Sequence, residues 1–439
     1  MFFLYSLIYT LAFVLLSPRF LFDIVTRGKY AAGFGQRLGF LPKFVCDERP
    51  VVWLHCVSVG ETNAARPLVD ELKRSYPSHR LIVSTTTKTG QKLARDVFGD
   101  KAETIFYFPF DWRISVRRAF RHFAPSVILL METEIWFNFI REANHANARI
   151  CIVNGRLSER SYRRYSYFSH SMKRVFSYID LALMQGNADA KRIMGLGMRA
   201  SKVRVSGNLK FDHNVDASES KLTEEFRSRF GISAEAPLIL AASTHSPEEK
   251  WLLESFKEIW KSVGERLPRL MIAPRHPERF AEVAELVKKT GFTWVRRSEG
   301  ESSRDKTAEI ILLDSIGELR AAYPLAEIVF VGGSLIPHGG QSIFEPAAAG
   351  KAIVTGANTA NFADAVKEFL GKEALIQIGK TADPAVVTAL TKALHDLLMN
   401  KERRRTLGHN ALTVMNNNRG AIGRTIEYLA PMLNAADNQ

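Results

Sequence analysis

Cysteine is scarce in this chain, with three in 439 residues. Cys46, Cys56 and Cys151 show no CxxC spacing, which excludes a disulfide framework and a cysteine-held zinc and favours a reducing compartment. No D-x-D pair occurs, so a metal clamped by two aspartates onto a diphosphate is not indicated. Acid is also in deficit: 46 Asp and Glu against 60 Lys and Arg leave a formal net charge of +14. Such an excess fits an anionic environment such as a phosphorylated ligand, an acidic bilayer surface or nucleic acid. Repeats and low-complexity tracts are absent, and a composition 46% hydrophobic and 24% charged excludes disorder and allows two or three domains with their own cores.

Charge is missing altogether between Met1 and Pro18, and the apolar run continues past Arg19 into FLFDIV, about the 20 residues that span hydrocarbon. The positive charges Arg27, Lys29, Arg37 and Lys43 follow the run, and no A-x-A site does, which argues for an uncleaved membrane helix with the bulk of the protein on the cytoplasmic side. The competing reading is a helix that dips into one leaflet, because Arg19 and Asp23 interrupt it.

From Val51 onward short β-branched runs alternate with amphipathic stretches, the pattern of parallel sheets with crossover helices. Seven runs (VVWLHCVSV, LIVSTT, TIFYFPF, SVILLM, RICIVN, LALMQ, VRVSGN) form a first series, and seven more (PLILAAST, RLMIAPR, FTWVRR, EIILLD, EIVFVGG, AIVTG, ALIQI) a second. The polar stretch between them reads as a linker leading into a helix. Two doubly wound domains leave a cleft where the carboxyl ends of both sheets bind ligands.

Several groups sit where such a cleft would be. Glu61 in VSVGET follows a strand read as ending at Val59, with Gly60 for a turn and Thr62 to cap the next helix; it is either a general base or a helix-start acid complementing the macrodipole. In METEIW, strand periodicity continued past Met131 would point Glu132 and Glu134 the same way; otherwise Glu134 opens the next helix and Glu132 is a solvated turn residue. NGRLSERSYRRY gathers Arg156, Arg160, Arg163 and Arg164 with tyrosines, a cluster suited to nucleic acid or to phosphorylated lipid at a membrane surface; the apolar N-terminus selects lipid and argues against nucleic acid. In the second series, Arg275 and His276 follow RLMIAP, with His276 read as structural. DSIGEL and VGGS offer backbone N–H groups for an anion, and HGGQSIFEPAAAG places Ser342 and Glu345 near a helix start.

In order along the chain, the apolar N-terminus, VSVGET, TTTKTG, METEIW, NGRLSERS, GNLKFD, APRHPERF, FVGGSL and HGGQSIFEPAAAG resemble the 3-deoxy-D-manno-octulosonic acid (Kdo) transferases of Gram-negative bacteria. The resemblance implies an α/β, GT-B fold of two facing Rossmann-like domains behind a membrane helix. Its segments are an anchor at 1–25, an acceptor-binding domain at 26–211, a linker at 212–236, a nucleotide-sugar domain at 237–420 and a last helix at 421–439 packing back across the domains. It further implies an inverting transfer of Kdo from CMP-Kdo to a phosphorylated lipid A precursor (lipid IVA) at the inner membrane, with no cofactor and no metal. Glu61 then matches the proton acceptor, and Glu132 and Lys210 the transition-state stabilisers. CMP contacts fall on Pro274 and Arg275, on Ile316, Gly317 and Glu318, and on Ser342, Ile343, Phe344 and Glu345. Ser342 and Ile343 stand where the family commonly has asparagine and proline. Two other readings fit the same architecture: a nucleotide-sugar epimerase, and a non-catalytic membrane-bound module for nucleotide or anionic lipid.

Overall fold

The computed structural model of the protein describes residues 1–27, 33–212, 217–233, 236–263, 267–381, 383 and 385–436. Lys29, residues 213–216 and 234–235 of the expected linker, residues 437–439, and the side chains of Arg19, Asp23 and Arg27 lie outside the described residues. By its internal contacts the chain divides into two units, Met1–Asp212 with Asn418–Gln439, and His213–Asn417.

The first unit holds β1 (Val51–Cys56), β2 (Arg80–Thr85), β3 (Thr104–Tyr107), β4 (Val127–Met131), β5 (Arg149–Gly155), β6 (Leu181–Met184) and β7 (Val203–Val205). They pair in parallel in the order β3-β2-β1-β4-β5-β6-β7. The central strands are continuous apolar runs because helices cover both faces: Val51 to Cys56 and Val127 to Met131 are buried throughout. Trp53 pairs in register with Ile82 and Ile128. It packs among Phe106, Phe120, Phe123 and Phe139 and donates its indole N–H to Ser84 Oγ at 2.8 Å.

The second unit repeats the plan with β8 (Leu238–Thr244), β9 (Arg269–Pro274), β10 (Trp294–Arg296), β11 (Ile310–Leu312), β12 (Ile328–Val331), β13 (Ala352–Thr355) and β14 (Ile376–Gln377). Their order is β10-β11-β9-β8-β12-β13-β14, again all parallel. Strand order reverses between β1 and β4 in one sheet and between β8 and β12 in the other, and the carboxyl ends at such a reversal form a crevice for ligands.

Three segments differ from the sequence-based expectation. Much of the polar stretch read as a linker is a helix, Ala217–Phe230, built into the second unit. Its Thr223 hydroxyl donates to Ala321 O at 3.0 Å, and the buried Arg229 pairs with buried Asp305 at 2.7 Å while donating to the carbonyls of Arg296, Arg297 and Glu299. The Arg229 charge is thus satisfied inside the fold, which composition could not distinguish from solvation. The last helix, Ala421–Ala436, belongs to the first unit: Leu429 and Leu433 join the core of the helix Val59–Ser75. The Asp212 carboxylate accepts from Gly420 N and Ile422 N at 2.6 Å each and so caps its start.

The third difference concerns the N-terminus. Among the described residues no helix is long and apolar enough to cross a membrane, so the expected spanning anchor is not supported. The helix Phe2–Arg27 instead lays one stripe on the first unit. Phe2 enters the core, the Tyr5 hydroxyl donates to Asp111 at 2.8 Å, Ser6 pairs with Asn138, and Tyr9 and Phe13 pack edge-on against Trp112. Burial pushes the Asp111 carboxyl up to about 7, against the pull of Tyr5 and of the Asn138 and Phe139 N–H groups. The opposite stripe, Phe3, Leu4, Leu7, Ile8, Leu11 and Leu15, is exposed. The polar handles Tyr5, Ser6 and Tyr9, at three- and four-residue spacing, make one docked face, which in the sequence reads as part of a continuous apolar run.

Candidate active site

The first crevice is built at the ends of β1 and β4. Extended chain ends at Cys56 rather than Val59, and Ser58, not Thr62, caps the helix Val59–Ser75. The Ser58 side chain accepts from Glu61 N, and Thr62 returns its hydroxyl to Ser58 O at 2.9 Å. Gly60 is an ordinary helical residue in the first turn. The S-x-x-E spacing is a capping-box signature and was the available signal for this geometry. Glu61 Oε2 accepts from Val57 N at 2.7 Å and Oε1 from Ser58 Oγ at 2.9 Å. With 6% of its surface exposed, Glu61 is desolvated, and its carboxyl rises to about 7. Burial is the main cause, and the charges of Glu132 and Glu134 add to it against the Val57 and Ser58 hydrogen bonds. The helix-start role and the reactive role thus fall on one side chain: the cap aims the carboxylate, and burial tunes it.

After β4 the extended geometry does not continue, contrary to the period-two expectation. Glu132 adopts φ +55, a left-handed conformation that costs a non-glycine residue about 1 kcal/mol, while its N–H makes one last ladder bond to Val153 O at 2.9 Å. The following helix starts at Phe137, not at Glu134. Burial raises the Glu134 carboxyl, and the charge of Glu132 adds to that rise against the pull of the Trp136 indole. Glu132 Oε1 lies 3.5 Å from Lys210 Nζ, both side chains about one quarter exposed at 27% and 24%.

Lys210 reaches this position through residues that sequence reasoning did not single out. Asn154, at the end of β5 with φ +55, accepts from Leu209 N at 3.0 Å, and Asn208 accepts from Lys210 N at 3.0 Å. Arg424 of the last helix donates to Ser206 O at 2.8 Å, and Asp212 holds that helix's start. The segment GNLKFD is therefore pinned at both ends, and the structure brings Glu61, Glu132 and Lys210 to one sheet edge. Arg156, Arg160 and Arg163 follow β5. Arg160 is exposed, while Arg163 pairs with Glu159 at 3.3 Å and Arg192 reaches the same carboxylate at 3.2 Å.

The second crevice departs from expectation more often. Pro274 ends β9 buried, and exposed Arg275 continues the ladder through its N–H to Thr244 O at 3.0 Å. Ile316 is 79% exposed and Gly317 takes φ +86. The Glu318 carboxylate is held bidentately by Arg297 at 2.9 Å, which keeps it below the usual range although burial pushes it up. The N–H groups of VGGS are not open to an anion. Glu248, fully buried, accepts Gly333 N at 2.7 Å, Ser334 N at 3.0 Å, Leu335 N at 3.0 Å and His245 N at 3.1 Å. The helix expected after HGGQ is five residues, Phe344–Ala348, too short to concentrate a dipole. Ser342 donates to Glu345 and accepts from Phe344 N at 3.3 Å, while Ile343 and Phe344 turn into the core. Serine is short enough to close this local loop. Glu248 and His245, in STHSPEE, carry no motif that a single sequence reveals; only folding brings the β8 and β12 ends together.

Residues 32–213 match the family described as 3-Deoxy-D-manno-octulosonic-acid transferase (kdotransferase). Over 405 residues the chain is 35% identical to the 3-deoxy-D-manno-octulosonic acid transferase of Haemophilus influenzae, covering 92% of each chain. Over 428 residues it is 28% identical to that of Chlamydia trachomatis serovar A, covering 97% of this chain and 96% of the relative. Among solved structures, the UDP-GlcNAc 2-epimerase of Neisseria meningitidis bound to UDP-GlcNAc superimposes with a TM-score of 0.56 at 13% identity, covering 87% of this chain and 100% of that one. At that identity the likeness is one of fold, a GT-B-like pair of parallel-sheet domains, and does not favour epimerase chemistry. With a relative above 30% identity over nearly its entire length, the chain belongs to the 3-deoxy-D-manno-octulosonic acid transferases and is a Kdo glycosyltransferase.

Proposed function

We propose that this protein transfers Kdo from CMP-Kdo to a phosphorylated lipid A precursor during lipopolysaccharide core assembly, with inversion at the anomeric carbon and no metal. The observation that carries the reading is Glu61, a capped and buried carboxylate whose pKa is pushed up to about 7 at the strand-order reversal of the first sheet. A base poised near neutral pH combines a useful ionised fraction with driving force for proton transfer. Glu61 takes the proton of the acceptor hydroxyl as its oxygen bonds to the anomeric carbon. The bond from that carbon to the phosphate oxygen breaks, and CMP leaves with the electron pair. Glu132 faces the positive charge developing on the sugar, and the Lys210 ammonium, 3.5 Å from Glu132, faces the sugar's carboxylate or the departing phosphate. CMP is held by Pro274 and Arg275, the Ile316 to Glu318 turn and the Ser342 to Glu345 segment, and acceptor phosphates meet Arg156, Arg160 and Arg163.

The exposed stripe of the N-terminal helix supports a location on the cytoplasmic face of the inner membrane, with the helix in the interface rather than across it. Its opposite stripe is already docked on the protein, and exposed Arg118, Arg121 and Arg160 on the same unit suit anionic headgroups. The test is mass spectrometry of products from CMP-Kdo and a defined tetra-acylated disaccharide bisphosphate, with and without chelator. The reading predicts addition of Kdo in both conditions. Absence of product, or loss in chelator restored by magnesium, contradicts it.

A further inference from the structure

Three imidazoles meet at the carboxyl ends of β8, β9 and β12. The His245 ring lies 5.2 Å from that of His276 and 4.1 Å from that of His338, centroid to centroid. Gly333 closes the space beneath: with φ +66, a Cβ there would come within 3.3 Å of both the His245 and His338 rings. Each ring comes from a different strand end, and Arg275 follows β9 beside His276. Such a convergence at a strand-order reversal is a place for a ligand.

The charges acting on His245 are positive, and the carboxylates nearby are mostly engaged elsewhere. Glu248, the nearest buried acid, is occupied by four backbone N–H groups. Glu249 faces Arg279 at 2.6 Å, and Arg279 also holds Glu282. Glu278 is largely exposed and stands 3.8 Å from His276 Nδ1. Among the described residues Arg275 has no carboxylate partner. His245 is buried, and Gln341 meets its Nε2 at 3.1 Å. Burial first, then His338, His276, Arg275 and Arg279, hold its ring neutral, down to about 4. It is a fixed neutral pivot, with two solvent-facing imidazoles and a guanidinium around it, set against the largely exposed Glu278 carboxylate beside His276.

We infer that His245, His276, His338 and Arg275 form the subsite for the phosphoryl group of a nucleoside monophosphate, with Glu248 as the positioning residue that fixes the β8 and β12 loops carrying two of the rings. This rests on the reading of the second unit as the CMP-Kdo side and adds the histidines to it. Imidazole N–H groups and a guanidinium together supply convergent donors to a tetrahedral oxyanion. As CMP departs, the same donors stabilise the charge gathering on its phosphate.

Calorimetric titration of the full-length chain with CMP, cytidine, inorganic phosphate and free Kdo tests the assignment. His276→Ala and His338→Ala change solvent-facing rings and are expected to fold. The wild type should bind CMP at least about tenfold more tightly than cytidine, and each variant should lose most of that preference with cytidine affinity unchanged. Inorganic phosphate, and not free Kdo, should compete with CMP. An unchanged CMP-to-cytidine ratio in both variants overturns the inference, as does competition by free Kdo that the variants abolish, which would assign the cluster to the sugar's carboxylate. A wild type that shows the ratio and the variant losses but makes no Kdo product leaves the subsite standing and removes the transfer reading instead.

Discussion

Glu61 and Glu248 occupy corresponding places in the two units, each in or just before the first helical turn after a sheet's first strand, at the point where strand order reverses. Glu61 accepts two hydrogen bonds, from Val57 N and Ser58 Oγ, and a carboxylate has about four lone-pair sites, so it keeps acceptor capacity for a substrate proton. Glu248 accepts four backbone N–H groups, two on each oxygen, and has none left. The same residue type in the same topological place is thus reactive in one unit and scaffolding in the other. Around Glu61 stand two more acids and a lysine, while around Glu248 stand imidazoles and a guanidinium. The first edge suits a hydroxyl that must lose a proton, and the second an anion that must be held.

If this division is right, changes at the first edge lower turnover without weakening nucleotide binding. Glu61→Gln should reduce kcat by roughly 10²–10⁴ and Lys210→Ala by roughly 10²–10³, with CMP affinity by calorimetry unchanged in both. Loss of CMP affinity in either variant would break the comparison. At the second edge the expected effect is on stability. Glu248→Gln leaves one oxygen for four N–H donors and turns an amide N–H₂ toward two of them, which should destabilise the second unit by about 3 kcal/mol, read as a lower denaturant midpoint. A midpoint equal to wild type would show that the β12 loop holds without this carboxylate.

Strand runs were legible because parallel strands covered on both faces must be continuously apolar, as in VVWLHC and VILLM. Glu61, Glu132 and Lys210 could be picked out through the motifs that carry them, whereas Ser58 was passed over for Thr62 as the cap although its spacing to Glu61 was there to be read. The docked N-terminal helix was not, because Tyr5, Ser6 and Tyr9 in an apolar run read the same whether their hydroxyls meet Asp111 and Asn138 or membrane interface. A helix was expected to follow the polar stretch, but its seating inside the second unit was not legible, because the Arg229–Asp305 pair that holds it is long-range. Glu248 was hidden for the same reason: its donors lie 85 to 87 residues away at the end of another strand.

The dependence of kcat/KM for Kdo transfer on pH bears most directly on Glu61 as the base. A carboxyl whose pKa is raised accepts a proton only in its ionised form, so activity should rise with pH along an acid limb centred near 7, where burial places Glu61. An acid limb at the ordinary carboxylate value near 4.5, or a flat profile between pH 5 and 8, would contradict the account.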